Sequence, residues 1–471
     1  MRAAWRQILE FAERDCSALE QACRDPSKQQ HEMLLGILRA NRATKFGAEH
    51  DFAHVRTIDE FRRAVPVRSY SEIEPWVTRV AEGETNVLAS DHVVAFEETS
   101  GTSSGRKLIP YTAASLTAFR AAVLPWLARL VRRRPGIAKG RAYVAASPVN
   151  RAPRSLPCGL PVGLPSEGAY LGNEIAGALG DLMAVPPISA TQIDTWRERT
   201  VAELAKCQEL TFISIWSPTF LLELVDALPS EAWPQLDTIS MWTDGASAPY
   251  ARRVAERFPH AHIDAKGLLS TESAVTVRVD DEPGCIPAMT SAVIEFVDAA
   301  GCCLLSHELG VGASYRVVIT TPGGLYRYDT GDEVRCIGNT GGVPRLQFVG
   351  RAGLVSDLVG EKLTEGFVST AIGTFSRPAS LVPCHVPKPH YEIWLDAPDS
   401  GDGDAVARFV DDSLRRNVQY AYARDLGQLR APVTIFHPGY VQHRRHTLVE
   451  RGQRLGDVKL SALILDRTTL P

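Results

Sequence analysis

The sequence predicts an α/β fold with a large N-terminal domain and a small C-terminal α+β domain, and three patterns support this. From Val93 onward, β-rich runs alternate with helical stretches, which is typical of a sheet with helices on its faces. Between Cys285 and Phe348 strand follows strand, which predicts an antiparallel β subdomain. After Arg351 a new series of strand, helix and strand begins. We therefore expect two units of unequal size.

The boundary between the domains is expected just after Arg351. The large domain is predicted over residues 1–351 and the small one over residues 357–471, with a hinge at residues 352–356. The small domain, with about 115 residues, then has an ordinary domain size.

The chain begins with a predicted helical segment. Trp5, Ile8 and Ala12 recur at helical spacing, and a further helical stretch runs from His31 to Leu38. These stretches predict a helical cap at the N-terminus.

The remaining elements are predicted from hydrophobic runs and turn residues. In the α/β part and the small domain, the predicted strands are Val93–Phe96, Arg141–Ser147, Leu210–Trp216, Leu236–Trp242, Tyr391–Leu395 and Val433–His437. In the antiparallel subdomain they are Ala292–Val297, Tyr315–Thr321, Glu333–Ile337 and Leu346–Val349, with glycine turns at 323–324 and 341–342. The predicted helices are Ala113–Arg134, Thr219–Leu228, Pro249–Phe258 and Ala405–Asn417.

Composition and charge indicate a soluble globular protein that acts on small molecules. The 471 residues include 45% apolar and 23% charged residues, and the formal net charge is −4. This balance provides no global basic field for nucleic acid or an anionic membrane. Charged residues interrupt the first segment, as at Arg2 and Arg6, and argue against a signal peptide. The nine cysteines form no C-x-x-C pair, so we expect a reducing cytoplasm and no zinc site of the paired-ligand type.

A Gly- and Ser-rich segment at Glu97–Lys107 is the first candidate for binding chemistry. Small residues let the backbone wrap around an anion, hydroxyl groups donate to phosphate oxygens, and Lys107 supplies positive charge. The segment does not match a Walker A loop, because only three residues separate Gly101 from Gly105 and Arg106 follows. An ordinary surface loop is the alternative for this segment taken alone.

Two further segments follow predicted strands. Glu272 ends the run Lys266–Glu272, where a carboxylate after two hydroxyl residues could hold Mg²⁺ beside a polyphosphate. Taken alone, this pattern is more often a turn or a helix cap. The run Leu325–Asp332 is expected to close a hairpin, and a carboxylate there could accept both hydroxyls of a ribose; as an isolated pattern it is a polar β-turn.

Together and in this order, these segments resemble the adenylate-forming superfamily. More specifically, they resemble the Gretchen Hagen 3 family of acyl acid amido synthetases in the form seen in bacteria. The resemblance extends from about Thr57 to Leu463 and includes Ile215–Leu222, Lys266–Glu272 and Tyr326–Asp332. It implies a large domain that binds Mg·ATP and a carboxylic acid and makes acyl-AMP, and a small domain that rotates to complete the site for an amino acid.

The resemblance also implies roles for individual residues. Those implied to bind ATP are Ser100, Gly101, Thr102, Ser103, Ser104, Gly105 and Lys107 at the β- and γ-phosphates, Asp244, Gly245 and Ala246 beside adenine, Ser270, Thr271 at the α-phosphate, Tyr326, and Asp332 at the ribose with support from Arg351. Glu272 is implied to hold Mg²⁺. The family pattern commonly has Asp or Lys two residues after the hinge arginine, whereas this chain has Gly353.

Other roles are predicted with alternatives. Lys459 is our first candidate for the lysine of the small domain, with Lys362 as its rival, and either could be a surface lysine. Trp216 and Trp242 follow strand ends and could line the acyl pocket or pack in the core. The basic run at 443–446 is expected to be a solvated loop rather than a phosphate site.

The sequence therefore predicts an AMP-forming ligase that uses ATP and Mg²⁺ to join a carboxylic acid to an amino acid or another amine. Two alternatives stay open: transfer of the acyl group to a thiol, from coenzyme A or a carrier protein, and a non-catalytic binder of nucleotide or acid. We expect neither nucleic acid nor membrane as a partner, and a monomer or homodimer.

Overall fold

A computed structural model describes most of the chain. The described residues are 1–99, 107–145, 154–164, 167–186, 188, 193–226, 228–229, 232–373, 375, 377–398, 401–453, 458 and 460–471.

Helices are found at both ends of the chain and between the strands. They are α1 (Ala3–Arg24), α2 (Pro26–Asn41), α3 (Lys45–Glu49), α4 (Ile58–Ala64), α5 (Tyr70–Ala81), α6 (Ala113–Arg133), α7 (Asn173–Leu182), α8 (Ile193–Lys206), α9 (Pro218–Val225), α10 (Ala248–Arg257), α11 (Glu365–Ile372), α12 (Gly403–Leu414), α13 (Val418–Asp425) and α14 (Tyr440–Glu450). Most predicted helices are present, with ends that differ by a few residues.

The strands are short except in the antiparallel region. They are β1 (Val93–Thr99), β2 (Lys107–Thr112), β3 (Arg141–Val144), β4 (Arg154–Ser155), β5 (Pro161–Val162), β6 (Leu210–Ser214), β7 (Thr238–Met241), β8 (His262–Ala265), β9 (Thr276–Val277), β10 (Ile286–Pro287), β11 (Val293–Val297), β12 (Cys303–Leu304), β13 (Ser314–Thr320), β14 (Tyr328–Thr340), β15 (Val343–Arg351), β16 (Val355–Ser356), β17 (Leu363–Thr364), β18 (Ala379–Cys384), β19 (His390–Leu395) and β20 (Val433–Phe436).

A parallel sheet in the order β3-β6-β7-β8 forms the centre of the α/β part. Every residue of β6 and β7 is buried, which explains why these strands appear in the sequence as continuous apolar runs. The N-terminal cap is confirmed, because α1 buries Trp5, Ile8 and Ala12 in the same core cluster as residues of α6 and α7. The α/β fold class is therefore confirmed.

An antiparallel sheet in the order β12-β11-β13-β14-β15 follows, as predicted. Its longest hairpin joins β14 to β15 through Gly341 and Gly342, whose φ angles of 61° and 87° favour glycine. The run Leu325–Asp332 closes the hairpin between β13 and β14, as predicted, since the two strands pair antiparallel with Ile319 opposite Tyr328. β14 begins at Tyr328 within this run, and Asp332 pairs with Arg351 across the β14/β15 ladder.

The C-terminal part has its own hydrophobic core. β18 and β19 pair antiparallel, β19 and β20 pair parallel, and α11, α12 and α13 pack on this sheet. Tyr391, Ile393 and Leu414 are fully buried in that core. The predicted boundary at residues 352–356 stays a prediction.

The C-terminal sheet also packs against the large α/β part. Tyr250 of α10 lies in one buried cluster with Trp394 of β19 and Tyr440 of α14. Beside it, the guanidinium of Arg445 in α14 forms a two-pronged ion pair with the carboxylate of Glu223 in α9. The Arg445 side chain is only 3% exposed. The run 443–446 is thus part of a helix with a buried arginine, and its prediction as a solvated loop is wrong.

Among the described residues, α6 is the one helix whose length and apolar composition would allow it to span a membrane. Half of the relevant window is buried in the fold, as in many core helices. All nine cysteines lie at described positions and are free thiols.

Candidate active site

The carboxyl ends of the parallel strands gather the candidate residues at one edge of the sheet. Trp216 follows β6, the turn Asp244–Ala246 follows β7, and Lys266–Glu272 follows β8. Ligands of open α/β sheets bind outside this edge, because there the loops from neighbouring strands diverge. The apolar runs of the strands thus position polar segments that are far apart in the sequence.

The turn after β7 packs against the antiparallel sheet. The Gln347 side-chain amide of β15 donates a hydrogen bond to Asp244 Oδ1 over 3.2 Å. Burial raises the pKa of Asp244, although this hydrogen bond opposes the shift. Gly245 has a φ of 56°, a conformation that glycine adopts without strain. Ala246 contacts the core of the C-terminal part. The segment Asp244–Ala246, which is predicted to flank adenine, therefore contacts both the antiparallel sheet and the core of the C-terminal part.

Tyr328 joins two of the predicted ATP-binding residues. Its hydroxyl accepts a hydrogen bond from Lys107 Nζ over 3.3 Å and donates one to Glu272 Oε1 over 3.4 Å. Burial, and then the negative charge of Glu272, raises the pKa of Tyr328, so the phenol remains neutral and able to donate. Lys107 Nζ also lies 5.5 Å from the centre of the Tyr70 ring. A cation and a carboxylate from distant segments thus face one hydroxyl group.

Asp332 and Arg351 form a second charged pair in this region. Arg351 Nε lies 3.5 Å from Asp332 Oδ1, and the Asp332 side chain is 2% exposed. Within the described part of the chain, Asp332 Oδ1 and Arg351 Nε have no hydrogen-bond partner. Burial lowers the pKa of Arg351, but the carboxylates of Asp332 and Glu272 outweigh it and raise the pKa above its usual value. The charge of Glu272 raises the pKa of both Tyr328 and Arg351. The group around the Tyr328 hydroxyl and the Asp332–Arg351 pair therefore belong to one site.

A narrow cleft begins beside Glu272. Its free volume of about 20 Å³ is close to the space of a single water molecule. The lining residues come from β2, α6, the segment after β8, the connection before β11 and the turn before β14. They are Ile109, Pro110, Tyr111, Ser115, Ala118, Phe119, Thr271, Glu272, Ser273, Ser291, Thr321, Pro322, Gly323 and Leu325. The Tyr111 hydroxyl donates to the Thr271 carbonyl, and the Ser270 hydroxyl donates to the Ser273 carbonyl over 3.1 Å. These bonds fix the segment that carries Glu272.

The two tryptophans lie near each other but not in this cleft. The ring centres of Trp216 and Trp242 are 5.9 Å apart, and both side chains are partly buried. Lys266 Nζ lies 4.8 Å from the centre of the Trp216 ring and donates to Ser214 Oγ over 2.7 Å. Lys266 is buried, and its ammonium therefore stabilises the position of the Trp216 ring by a cation–π contact.

Tyr326 and Tyr328 occupy different environments. Tyr326 is 1% exposed, donates to the Leu88 carbonyl over 2.6 Å and stacks on Phe46, so it lies in the hydrophobic core. Sequence reasoning named Tyr326 and missed Tyr328, two residues later in the same motif. The same reasoning missed Tyr111 and Phe119, and no local signal marks them because the cleft forms only when α6 packs beside the segment after β8.

Arg351 is linked by a hydrogen bond to the C-terminal part. The Arg351 backbone N–H donates to Glu365 Oε2 over 3.1 Å, and Glu365 Oε1 accepts from the Ser461 hydroxyl and from the Ala462 N–H over 3.1 Å. Burial raises the pKa of Glu365, although these hydrogen bonds oppose the shift. Lys362 is exposed and has a φ of 47°, and Gly353 has open space around it.

Part of the predicted site lies outside the described residues. This applies to Ser100, Gly101, Thr102, Ser103, Ser104 and Gly105 of the glycine-rich segment, and to Lys459. On either side of that segment, β1 and β2 pair antiparallel, with Thr99 opposite Lys107.

Comparisons with known proteins give consistent results. The model of the GH3 family N-terminal domain matches residues 15–232, and that of the GH3 family central domain matches residues 286–351. Indole-3-acetic acid-amido synthetase GH3.2 of Arabidopsis thaliana is 22% identical over 455 residues, which cover 78% of this chain and 82% of that protein. The probable indole-3-acetic acid-amido synthetase GH3.11 of Oryza sativa subsp. japonica is 22% identical and covers 74% of this chain and 73% of its own length.

Solved structures give the same result for the fold. The AtGH3.15 acyl acid amido synthetase in complex with 2,4-DB superposes with a TM-score of 0.85 at 17% identity, covering 97% of this chain and 95% of that chain. A 2-hydroxyisobutyryl-CoA ligase in the postadenylation state, in complex with 2-HIB-AMP, superposes with a TM-score of 0.61 at 15% identity, covering 95% and 92%. At these identities the likeness shows the fold.

Proposed function

Because the chain belongs to the GH3 family, we propose that it is an AMP-forming ligase that activates a carboxylic acid with ATP and transfers the acyl group to an amino acid or another amine. The single observation that carries the proposal is the arrangement around Tyr328. Lys107 and Glu272 face its hydroxyl, and the Asp332–Arg351 pair lies beside them. This combination of a cation, a carboxylate and a buried acceptor suits a nucleoside triphosphate.

The proposed reaction has two steps. A carboxylate oxygen of the acid attacks the α-phosphorus of ATP, the bond from that phosphorus to the bridging oxygen breaks, and pyrophosphate leaves. The amine nitrogen then attacks the acyl carbon of acyl-AMP, the bond to the AMP oxygen breaks, and the amine gives up a proton. Both steps need reactants held in line and stabilisation of negative charge, and neither needs a nucleophilic side chain.

Different residues of the described chain are proposed to bind the phosphates, the ribose and the adenine of ATP. Lys107 balances charge on the β- and γ-phosphates, and Thr271 and Ser270 reach the α-phosphate from the fixed segment after β8. Asp332 accepts from the ribose hydroxyls through its Oδ1, and Arg351 lies 3.5 Å from that oxygen. Asp244, Gly245 and Ala246 flank adenine. We extend the same proposal to the glycine-rich segment at residues 100–105.

The residues present also suit Mg²⁺. Glu272 is partly exposed, and the 3.4 Å hydrogen bond from Tyr328 leaves acceptor positions on its carboxylate. Mg²⁺ prefers such oxygen ligands and would neutralise charge on the triphosphate. Tyr328 orients Glu272, and burial of the phenol keeps that orientation fixed.

For the acyl pocket and for the lysine of the small domain, we propose the residues that were predicted from the sequence. Trp216 and Trp242 are our candidates for one wall of the acyl pocket, and the cleft lined by Tyr111 and Phe119 adds another. The cleft is narrow, so an acid must displace side chains or enter after a local opening. Lys459, with Lys362 as the rival, is proposed to serve one half-reaction.

The test is acid-dependent exchange between ATP and pyrophosphate, with a panel of aryl, indolyl and fatty acids. Indole-3-acetic acid belongs in the panel because it is named for the relatives. Acyl-AMP formed in the site is then offered amino acids or coenzyme A, and the products are identified by mass spectrometry. Faster consumption with an amino acid supports the ligase, whereas a thioester alone would indicate an acyl-thioester synthetase. Absence of both exchange and ATP binding would refute adenylation. We expect the reaction to take place in the cytoplasm, where the nine cysteines stay free of disulfide bonds.

A further inference from the structure

A mixed cluster of metal-ligating groups lies at the end of the β18/β19 hairpin. Cys384 pairs with His390 across the hairpin, and Glu392 follows two residues later on β19. Because side chains alternate along a strand and paired residues share a face, all three lie on one face of the sheet. One ligand atom from each residue lies within 4.8 Å of the other two. On the opposite face, Tyr391 and Ile393 are fully buried in the core, so the hairpin is rigidly anchored.

The histidine and the glutamate of this cluster are each oriented by a second group. The Lys388 carbonyl lies 2.8 Å from His390 Nδ1, and in the tautomer that donates this bond, Nε2 has a free lone pair. Glu392 Oε2 accepts from Trp394 Nε1 over 2.8 Å, and its Oε1 accepts from Arg467 over 3.2 Å. Outer hydrogen bonds of this kind orient the histidine and carboxylate ligands of metal sites.

We propose that Cys384, His390 and Glu392 form a Zn²⁺ site on the C-terminal part, with a fourth position open to water. Thiolate, imidazole and carboxylate are the ligands that Zn²⁺ takes in proteins, whereas Mg²⁺ and Ca²⁺ take oxygen ligands. The thiolate and the carboxylate carry two negative charges, and the guanidinium of Arg467, 3.0 Å from Glu392 Oε2, adds one positive charge beside the carboxylate. On binding, the S–H bond breaks, the proton passes to solvent and a Zn–S bond forms.

The geometry needs only small adjustments. A tetrahedral zinc ion with bonds of about 2.0–2.3 Å separates its ligand atoms by about 3.4–3.6 Å. The present separations of up to 4.8 Å therefore close by rotation of side chains that are only partly buried. Five residues lie between Cys384 and His390, and this spacing differs from the paired C-x-x-C pattern of common structural zinc sites. For this reason the sequence gives no sign of the site.

The proposal does not depend on the proposed ligase activity, and its test uses the full chain without any affinity tag. After treatment with a chelator, the protein is titrated with Co²⁺, which reports a thiolate ligand by a charge-transfer band in the near ultraviolet and tetrahedral geometry by visible bands. We expect one equivalent to bind and Zn²⁺ to displace it. Cys384→Ser should abolish the charge-transfer band, and His390→Ala should weaken binding at least about tenfold. The matched control is Cys302→Ser, since Cys302 is an exposed cysteine outside the hairpin.

A second measurement on the unaltered protein keeps the proposal falsifiable if a variant fails to fold. Bound Zn²⁺ should protect Cys384 from alkylation, as measured by peptide mass spectrometry, while Cys302 reacts equally with and without the ion. The proposal is overturned if the protein shows no charge-transfer band, if Cys384→Ser retains it, or if Zn²⁺ leaves the alkylation of Cys384 unchanged.

Discussion

Replacing Asp332 with asparagine should weaken ATP binding without unfolding the protein. Asp332 is 1% exposed, and its Oδ1 faces Arg351 at 3.5 Å without a hydrogen-bond partner among the described residues. In the proposed complex, each ribose hydroxyl donates to a charged carboxylate, which is worth about 1.5–3 kcal/mol per bond. Asparagine keeps one acceptor oxygen, so one bond is lost. At about 1.4 kcal/mol per factor of ten, the dissociation constant for ATP should rise about ten- to a hundredfold.

The assay is calorimetric titration of ATP in the absence of any acid, so that no turnover occurs. Asp329→Asn is the matched control, because Asp329 lies in the same strand and its carboxylate pairs with Arg316 at 3.2 Å instead of with Arg351. This variant should bind ATP as the unaltered protein does. If Asp332→Asn is folded and its ATP affinity stays within about twofold of the original, the ribose assignment is refuted.

Three further predictions follow from the same region. Glu272→Gln should raise the Mg²⁺ concentration needed for half-maximal pyrophosphate exchange about tenfold, because it removes a charged oxygen ligand; an unchanged Mg²⁺ curve would contradict the role. Lys459→Ala should slow either acyl-AMP formation or its consumption by amine; normal rates of both would make it a bystander and direct the test to Lys362→Ala. Burial raises the folded-state pKa of Glu365, so the folded protein holds an extra proton over the interval from the ordinary glutamate pKa up to the raised value, and stability should fall as pH rises through that interval. In Glu365→Gln, the free energy of unfolding should fall less steeply with pH, as measured by urea unfolding at several pH values. If the slope against pH is the same as in the unaltered protein, Glu365 is not the group responsible.

The centre of the parallel sheet could be predicted from the sequence because β6 and β7 are short runs of apolar and small hydroxyl residues. Both strands are buried along their whole length. β8 contains His262 and Asp264 and was not predicted as a strand. Once β7 is placed, the segment carrying Asp244 follows from the direction of the chain. This explains how local patterns could indicate the edge where the candidate site lies.

The role of Tyr328 could not be predicted in the same way. In an extended strand, residues two apart share a face, so Tyr326 and Tyr328 would be equivalent. Arg327 between them adopts a φ of 49° and turns the chain, which sends Tyr326 to Leu88 and Tyr328 to Glu272. Arg327 holds this conformation through its ion pair with Glu295, and nothing in the local sequence indicates that pairing.

The buried contacts that α9 and α10 make with the C-terminal part limit how often it can leave its present position. Separation would expose Arg445 and Glu223 to water, and rehydration of the two charges offsets much of their lost attraction. Tyr250, Trp394 and Tyr440 would also lose their shared apolar contacts, which water does not replace. Each step of about 1.4 kcal/mol in the net free energy of these contacts makes the separated form about tenfold rarer without a ligand. A second orientation of the C-terminal part therefore becomes the major species only when a bound ligand favours it by more than this difference.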